Sequence, residues 1–337
     1  MTHYLRAIPQ SGPARPVNAL TLAGGWCWFT HVEILERGRP SEIVGVDELS
    51  AQELEPLTSL RPDIAGLSCD QPHVMGILNV TPDSFSDGGQ HYDPQAAVDG
   101  ALAMLGASII DVGGESTRPG AAVVASDDEA SRVAPVIGAL RQAGYYGVIS
   151  VDTRKAAVAK AAVAAGADLV NDVSGFTYDP ELAPMCASED LPVCVMHAQG
   201  SPETMQKAPK YDNVLLDVYD FLAAQIDTLA ALGIPRARII ADPGIGFGKT
   251  LDHNLALLSR LSLFHGLGVA LLLGASRKRF IGTIGGAEVA SDRMPGSVAV
   301  ALAALKQGTQ FVRVHDVPET VQAIALWRAV VAGQANG

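Results

Sequence analysis

From about residue 73 onward, short runs rich in Val, Ile and Leu alternate with Ala-rich stretches of helical periodicity, and this alternation constrains the fold more than any other feature. Strands that alternate with helices build parallel sheets, because each crossover carries a helix onto the sheet face. The candidate strands are 73–79, 108–113, 147–152, 168–173, 192–197, 238–242, 269–274 and 310–315, eight in all. Amphipathic stretches follow them at 94–106, 126–143, 154–165, 180–189, 212–232, 252–264, 291–307 and 317–331. Gly106, Gly144, Gly166, Gly233 and Gly308 stand where helices end, as expected of residues that take positive φ without strain. Eight repeats predict a closed (β/α)8 TIM barrel. An open, doubly wound sheet is the competing arrangement, but its Gly-x-Gly-x-x-Gly loop does not follow the first strand.

A barrel of this kind takes roughly 250 residues, which leaves an N-terminal extension, 1–70, before a barrel expected at 71–337. The extension carries Pro9, Pro13, Pro16, Gly24 and Gly25, and a hairpin is expected from Trp26–Phe29 and Val32–Leu35. It reads as a small β element packed on the barrel, with a separate binding module as the alternative. Formal charge is −12, so no basic field steers the chain to nucleic acid or to an anionic membrane, and an anionic substrate must be caught by a local cluster. Cys27, Cys69, Cys186 and Cys194 form no Cys-x-x-Cys, which predicts reduced thiols rather than structural zinc or disulfides. The start, Met1-Thr2-His3-Tyr4-Leu5-Arg6, has no signal-like apolar run, and no window holds 18 uninterrupted apolar residues. A cytoplasmic protein is expected.

Barrel enzymes place their chemistry at the carboxyl ends of the strands. Polar residues stand there at Asn79, Asp111 with Glu115, Asp152, Asn171, His197, Asp242, Ser276 with Lys278, and Arg313 with His315. Any one Asp or Asn after a strand is readily explained as the N-cap of the next helix. The set is not, because it includes His, Lys and Arg, whose positive charge is unfavourable at a helix N-terminus. Asp152, Asn171 and Asp242 in an apolar mouth suit a flat heterocycle rich in N–H donors, since buried carboxylates need such partners. Arg118, Lys278, Arg313 and His315 supply positive charge for a phosphate-bearing leaving group. Gly244-Ile245-Gly246-Phe247-Gly248-Lys249-Thr250 invites a nucleotide-loop reading, but Gly244 lies four residues before Gly248 where the P-loop needs five. Its glycines instead let backbone approach a flat ligand.

Several segments together resemble the dihydropteroate synthase family across about residues 73–332. Met75-Gly76-Ile77-Leu78-Asn79-Val80-Thr81-Pro82-Asp83-Ser84-Phe85-Ser86-Asp87-Gly88-Gly89 is similar to that family's first strand and first loop, and Asp111-Val112-Gly113-Gly114-Glu115-Ser116-Thr117-Arg118-Pro119-Gly120 to its second loop. Further matches are Val151-Asp152-Thr153, Val170-Asn171-Asp172, Val195-Met196-His197, Asp242 to Lys249, Ser276 to Gly282, and Arg313-Val314-His315-Asp316. The resemblance implies condensation of 6-hydroxymethyl-7,8-dihydropterin pyrophosphate with 4-aminobenzoate, giving 7,8-dihydropteroate and pyrophosphate in folate biosynthesis. It implies a pterin site of Asp152, Asn171, Met196, Asp242, Phe247, Gly274 and Lys278, and a pyrophosphate site of Asn79, Thr117, Arg313 and His315. The 4-aminobenzoate site would comprise Phe85, Thr117, Arg118, Pro119, Ser276 and Arg279. Asp87, Arg118 and Lys278 would be catalytic, Asn79 and Asp87 would ligate Mg2+ as the cofactor, and a homodimer would form through the last barrel helices.

Two departures stand out. After His197 the chain reads Ala198-Gln199-Gly200 where many members carry His-Asn-Arg, which leaves contacts from 198–206 open, and residues 1–70 have no counterpart in compact members. A pterin-dependent methyltransferase domain and a non-catalytic pterin-binding paralogue are the alternatives. The first has no use for the Ser84–Asp87 and Ser116–Pro119 loops, and intact Arg118, Lys278, Arg313 and His315 speak against the second.

Overall fold

A computed structural model describes residues 3–81, 94–116, 123–200 and 209–334. The first segment forms β1 (Tyr4–Ala7), β2 (Leu20–Thr21), β3 (Trp28–Phe29), β4 (His31–Leu35), β5 (Glu42–Gly45) and α1 (Ala51–Thr58). These make an antiparallel sheet of order β1-β4-β5 and a separate β2-β3 pair.

The hairpin expected from Trp26–Phe29 and Val32–Leu35 does not form. Leu20 pairs with Phe29, whereas Val32 pairs with Ala7 on one side and Val44 on the other. A tight reversal needs residues that accept positive φ, and these are Ala23 and Gly24 before β3 and Gly38 between β4 and β5. Thr30 offers no such turn, so the chain runs on from β3 to β4. Phe29 and Val32 then share one small core with Ala7, Leu22, Cys27 and Leu57.

This small core is fastened to the amino-terminal end of the barrel. The Trp26 indole N–H donates to Leu305 O at 2.8 Å, and Ser262 Oγ donates to Ala7 O at 2.8 Å. Arg61 is buried and donates to the carbonyls of Pro56, Ser59, His265 and Val269. A buried guanidinium is tolerated only with its donors satisfied, and here backbone oxygens on both sides of the junction do so. Ile64 and Cys69 continue into the base of the barrel interior.

The barrel strands are β6 (His73–Asn79), β7 (Ile109–Gly113), β8 (Val148–Asp152), β9 (Leu169–Asp172), β10 (Val193–Met196), β11 (Ile239–Asp242), β12 (Ala270–Leu273) and β13 (Phe311–Val314). They close in parallel in sequence order, β13 pairing β6 from Phe311↔His73 to Val314↔Gly76. Around them lie α2 (Pro94–Leu102), α3 (Ser126–Gln142), α4 (Ala156–Ala165), α5 (Leu182–Ser188), α6 (Val214–Ala231), α7 (Leu251–Ser259), α8 (Arg279–Gly285), α9 (Met294–Leu305) and α10 (Val317–Ala332). Helix α7 stops five residues short of the expected end, and a 3-10 turn, Leu261–Leu267, takes over. Its residues Leu261 to His265 are all buried, so the amphipathic period gives way to a segment packed on every side.

One buried cluster takes Met75, Ile109, Val148, Leu169, Cys194, Ile240, Leu272 and Phe311 from all eight strands, which fills the barrel interior with apolar side chains. Side chains alternate along a strand, so the residues two positions further on share that inward face. These are Ile77, Asp111, Ser150, Asn171, Met196, Asp242, Gly274 and Arg313, five of them polar or charged. The interior thus turns from apolar to polar towards the carboxyl ends, and the functional layer rests on a packed floor.

Candidate active site

Arg313 stands at the centre of this polar layer. Its Nε donates to Asp111 Oδ2 at 2.6 Å and its Nη2 to Asp152 Oδ2 at 2.6 Å, so one guanidinium spans two carboxylates from different strands. Asn171 Nδ2 donates to the same Asp111 oxygen at 3.0 Å. Among the described residues, Oδ1 of Asp111 and Oδ1 of Asp152 are buried without a hydrogen-bond partner. An unsatisfied buried carboxylate oxygen is costly, and the two mark a place for a ligand with N–H donors. Burial pushes the Asp152 carboxyl up to about 7, against the opposing pull of Arg313 and with further help from the Asp111 charge.

Glycines hold the space open around this cluster. A methyl on Gly113 would meet the Asp152 side chain at 3.4 Å and Asn79 Oδ1 at 3.8 Å, so Asn79 and Asp152 border the same gap. One on Gly274 would lie 3.4 Å from Asp242 Oδ2 and 3.9 Å from Arg313 Cβ. Asp242 accepts from Gly244 N at 2.7 Å, and burial raises its pKa while the Lys278 charge opposes that rise. Lys278 donates to Ile245 O, and its ammonium lies 4.3 Å from the Phe247 ring centroid. Burial lowers the Lys278 pKa to about 8, with Asp242 pulling the other way. Charged groups of both signs therefore converge with amide and aromatic surfaces in one barrel mouth.

The structure brings Asn79, Asp152, Asn171, Asp242, Phe247, Gly274, Lys278 and Arg313 into this layer, with Met196 on the same inward face. Ser276 and His315 pair with each other: Ser276 Oγ accepts the His315 backbone N–H at 3.1 Å and lies 3.1 Å from Nδ1. Arg279 is exposed at the first position of α8. Phe85, Asp87, Thr117, Arg118 and Pro119 lie outside the described residues. Sequence reasoning gave Asp111 a strand end but no role, and here it is fully buried against Arg313. The signal was its alternation phase, two residues beyond inward Ile109.

Helix capping does not account for these strand-end groups. The side-chain caps of α6 and α7 are Asn213 and Thr250, while at α4 the N-cap residue Lys155 makes no cap and Asp179 accepts the Ala156 N–H instead. Thr250 thus caps a helix and Lys249 points to His197 Nδ1 at 2.8 Å, which disposes of the nucleotide-loop reading. The stems of the β7–α3 connection are held by a separate buried cluster. Glu115 accepts from Val124 N at 2.9 Å and pairs with Arg154, and Lys155 donates to Val124 O and Glu129. Burial alone would raise the Glu115 pKa, but the Val124 N–H, Arg154 and Lys155 outweigh it and hold it below the usual range.

Fold and site together define a class: a (β/α)8 barrel whose strand ends gather carboxylate, guanidinium and ammonium groups in one mouth. A family model described as pterin binding enzyme matches residues 75–315. The dihydropteroate synthase of Escherichia coli (strain K12) is 47% identical over 272 residues, covering 80% of this chain and 95% of that protein. A solved dihydropteroate synthase of Xanthomonas albilineans with 4-aminobenzoic acid superposes with a TM-score of 0.75 at 46% identity, covering 80% of this chain and 97% of that one. The same organism's enzyme in complex with 7,8-dihydropteroate gives 0.71 at 43% identity, over 78% of this chain and 95% of that one. The chain belongs to the dihydropteroate synthase family.

Proposed function

We propose that this chain condenses 6-hydroxymethyl-7,8-dihydropterin pyrophosphate with 4-aminobenzoate to give 7,8-dihydropteroate and pyrophosphate. The observation that carries the reading is the Asp111–Arg313–Asp152 bridge with its two unpartnered carboxylate oxygens beside Asn171. The pterin edge offers ring and exocyclic N–H groups to those oxygens and to Asp242, and ring acceptors to Asn171 and Lys278. Met196, Phe247 and Gly274 leave a slot for its faces. Asn79, Thr117, Arg313 and His315 take the pyrophosphate, and Phe85, Thr117, Arg118, Pro119, Ser276 and Arg279 take 4-aminobenzoate.

In the reaction the bond between the pterin methylene carbon and the bridging oxygen breaks, and its electron pair leaves with pyrophosphate. The pterin ring delocalises the resulting methylene cation, the amine nitrogen attacks it, and the amine then loses a proton. Arg313 and Lys278 stabilise negative charge as it develops on the leaving group. A hard cation fits here, since the described donors beside the gap, Asn79 and the carboxylates, are oxygens. Asn79 and Asp87 would hold Mg2+, which supplies charge neutralisation of the pyrophosphate when bound. Loop residues Asp87 and Arg118 exclude water from the cation.

A homodimer through α9 and α10 is supported by Leu326 and Val330 on α10, which are 66% and 71% exposed. A cytoplasmic location is supported by four cysteines that are all free and buried. Among the described residues no helix is long and apolar enough to cross a membrane.

Purified chain with Mg2+ and both substrates is expected to release pyrophosphate and form 7,8-dihydropteroate in equal amounts. Pterin binding without product would favour the non-catalytic reading. The raised Asp152 pKa adds a pH dependence. An ionised carboxylate accepts ring N–H groups more strongly than a protonated one, so affinity for 6-hydroxymethyl-7,8-dihydropterin should rise as pH rises towards about 7 and level off above it. Calorimetric titration between pH 5.5 and 8.5 checks this, and Asp152→Asn should flatten the profile. For stability the sign is reversed: folded Asp152 holds its proton more tightly than the unfolded chain, so its contribution is present in acid and lost as pH rises through about 7.

A further inference from the structure

The reaction as written makes no use of Lys249, yet its side chain is buried beside the pocket and is 3% exposed. Its ammonium donates to His197 Nδ1 at 2.8 Å, to Phe247 O at 3.1 Å and to His197 O at 3.4 Å. Those acceptors belong to two segments: the residue that follows β10 and the β11–α7 loop. Among the described residues no carboxylate pairs with it directly, and Asp242 acts on it only at longer range. A lysine with no counter-ion at contact gains little as a salt bridge. What it contributes is a link between two backbones.

The surrounding geometry agrees. Gly244, Gly246 and Gly248 all take positive φ. A methyl on Gly244 would overlap the His197 carbonyl oxygen, and one on Gly248 the Gln199 carbonyl oxygen, so the loop lies directly on the chain after β10. The His197 ring is set between the edge of Phe221 at 4.9 Å and Tyr211 at 6.0 Å, and Tyr211 Oη donates to Gly248 O at 2.7 Å. On its other side the same loop meets Lys278, which donates to Ile245 O and lies over Phe247.

We infer that Lys249 and His197 form a positioning pair that fixes the β11–α7 loop as the wall of the pterin pocket, placing Phe247 and Ile245 where Lys278 docks. Neither side chain touches substrate; both act through the wall. The inference rests on the pocket being the pterin site.

The test titrates the full-length chain with 6-hydroxymethyl-7,8-dihydropterin, using variants first shown folded by circular dichroism. Lys249→Met keeps the stem and loses the donor, and should raise the Kd about tenfold, the scale of a buried hydrogen-bond link lost. His197→Leu should do the same, whereas His197→Asn, which keeps an acceptor near Nδ1, should bind within about threefold of wild type. The Lys249→Met/His197→Leu double variant should lose no more than Lys249→Met alone, because the Nδ1 contact that His197→Leu removes is one of the three that Lys249→Met removes. KM for 4-aminobenzoate should be unchanged in all of them, a split that general loosening of the fold would not produce. Wild-type affinity in folded Lys249→Met, or losses that multiply in the double variant, would overturn the pair. If Lys249→Met does not fold, His197→Leu against His197→Asn decides. Asp242→Ala separates the premises: if it too binds normally, the pocket assignment has failed, and if it alone weakens binding, only the positioning pair has.

Discussion

Arg313→Met is expected to lower kcat/KM for the pterin pyrophosphate by about a thousandfold, roughly 4 kcal/mol, the cost of stripping a buried charge of its partner. The guanidinium holds Asp111 and Asp152 together at 2.6 Å each. Without it two carboxylates face one another, with Asn171 Nδ2 still donating to Asp111, and one of them must take up a proton. A protonated Asp152 or Asp111 accepts more weakly from the pterin edge and turns an O–H towards it, and the pyrophosphate loses a nearby positive charge. Steady-state kinetics measure the loss, and thermal denaturation at pH 6 and 8 checks its cause. The variant should be less stable at the higher pH, where both carboxyls are driven to ionise.

Asp242→Ala is expected to weaken pterin binding about a hundredfold, the scale of a charged hydrogen-bonding group lost from a dry site. Asp242 is 4% exposed, and Lys278 is the first group that offsets the burial of its charge. Removing the carboxylate also leaves Lys278 without that balance, so the Lys278 pKa should fall further from about 8. Turnover at saturating pterin should change less than affinity, because the contact is made in the ground state as well as in the transition state. Equal losses in kcat and kcat/KM would instead assign Asp242 to the chemical step.

The barrel was legible because its strands are short, uniformly apolar and set off by helices. All eight expected runs coincide with β6 to β13 to within a residue or two at either end. Strand-end polarity pointed to the site for the same reason: inward and outward positions alternate, so Asp152, Asn171, Asp242 and Arg313 had to converge once the barrel closed. Asp111 shares their phase, but its role depends on Arg313 reaching across from β13, a contact between residues 202 apart. Lys249 was obscured by the Gly-Lys-Thr pattern, and only tertiary packing shows that Thr250 caps α7 while Lys249 turns inward to His197. Helix α8 went unforeseen because Arg279–Gly285 is one short stretch with glycines at 282 and 285. In the extension two adjacent β-prone runs suggested a hairpin, although the turn residues lay at Gly24 and Gly38 instead.

The most direct test is a crystal structure of the chain with 6-hydroxymethyl-7,8-dihydropterin pyrophosphate and Mg2+ bound. The pterin edge is expected against Asp152, Asn171 and Asp242, its faces between Met196 and the Arg313 side, and the pyrophosphate at Asn79, Arg313 and His315. A pterin bound elsewhere, for example in the groove between the β4–β5 turn and α6, would contradict the account, as would a bound ring that leaves Oδ1 of Asp111 and Oδ1 of Asp152 without a donor.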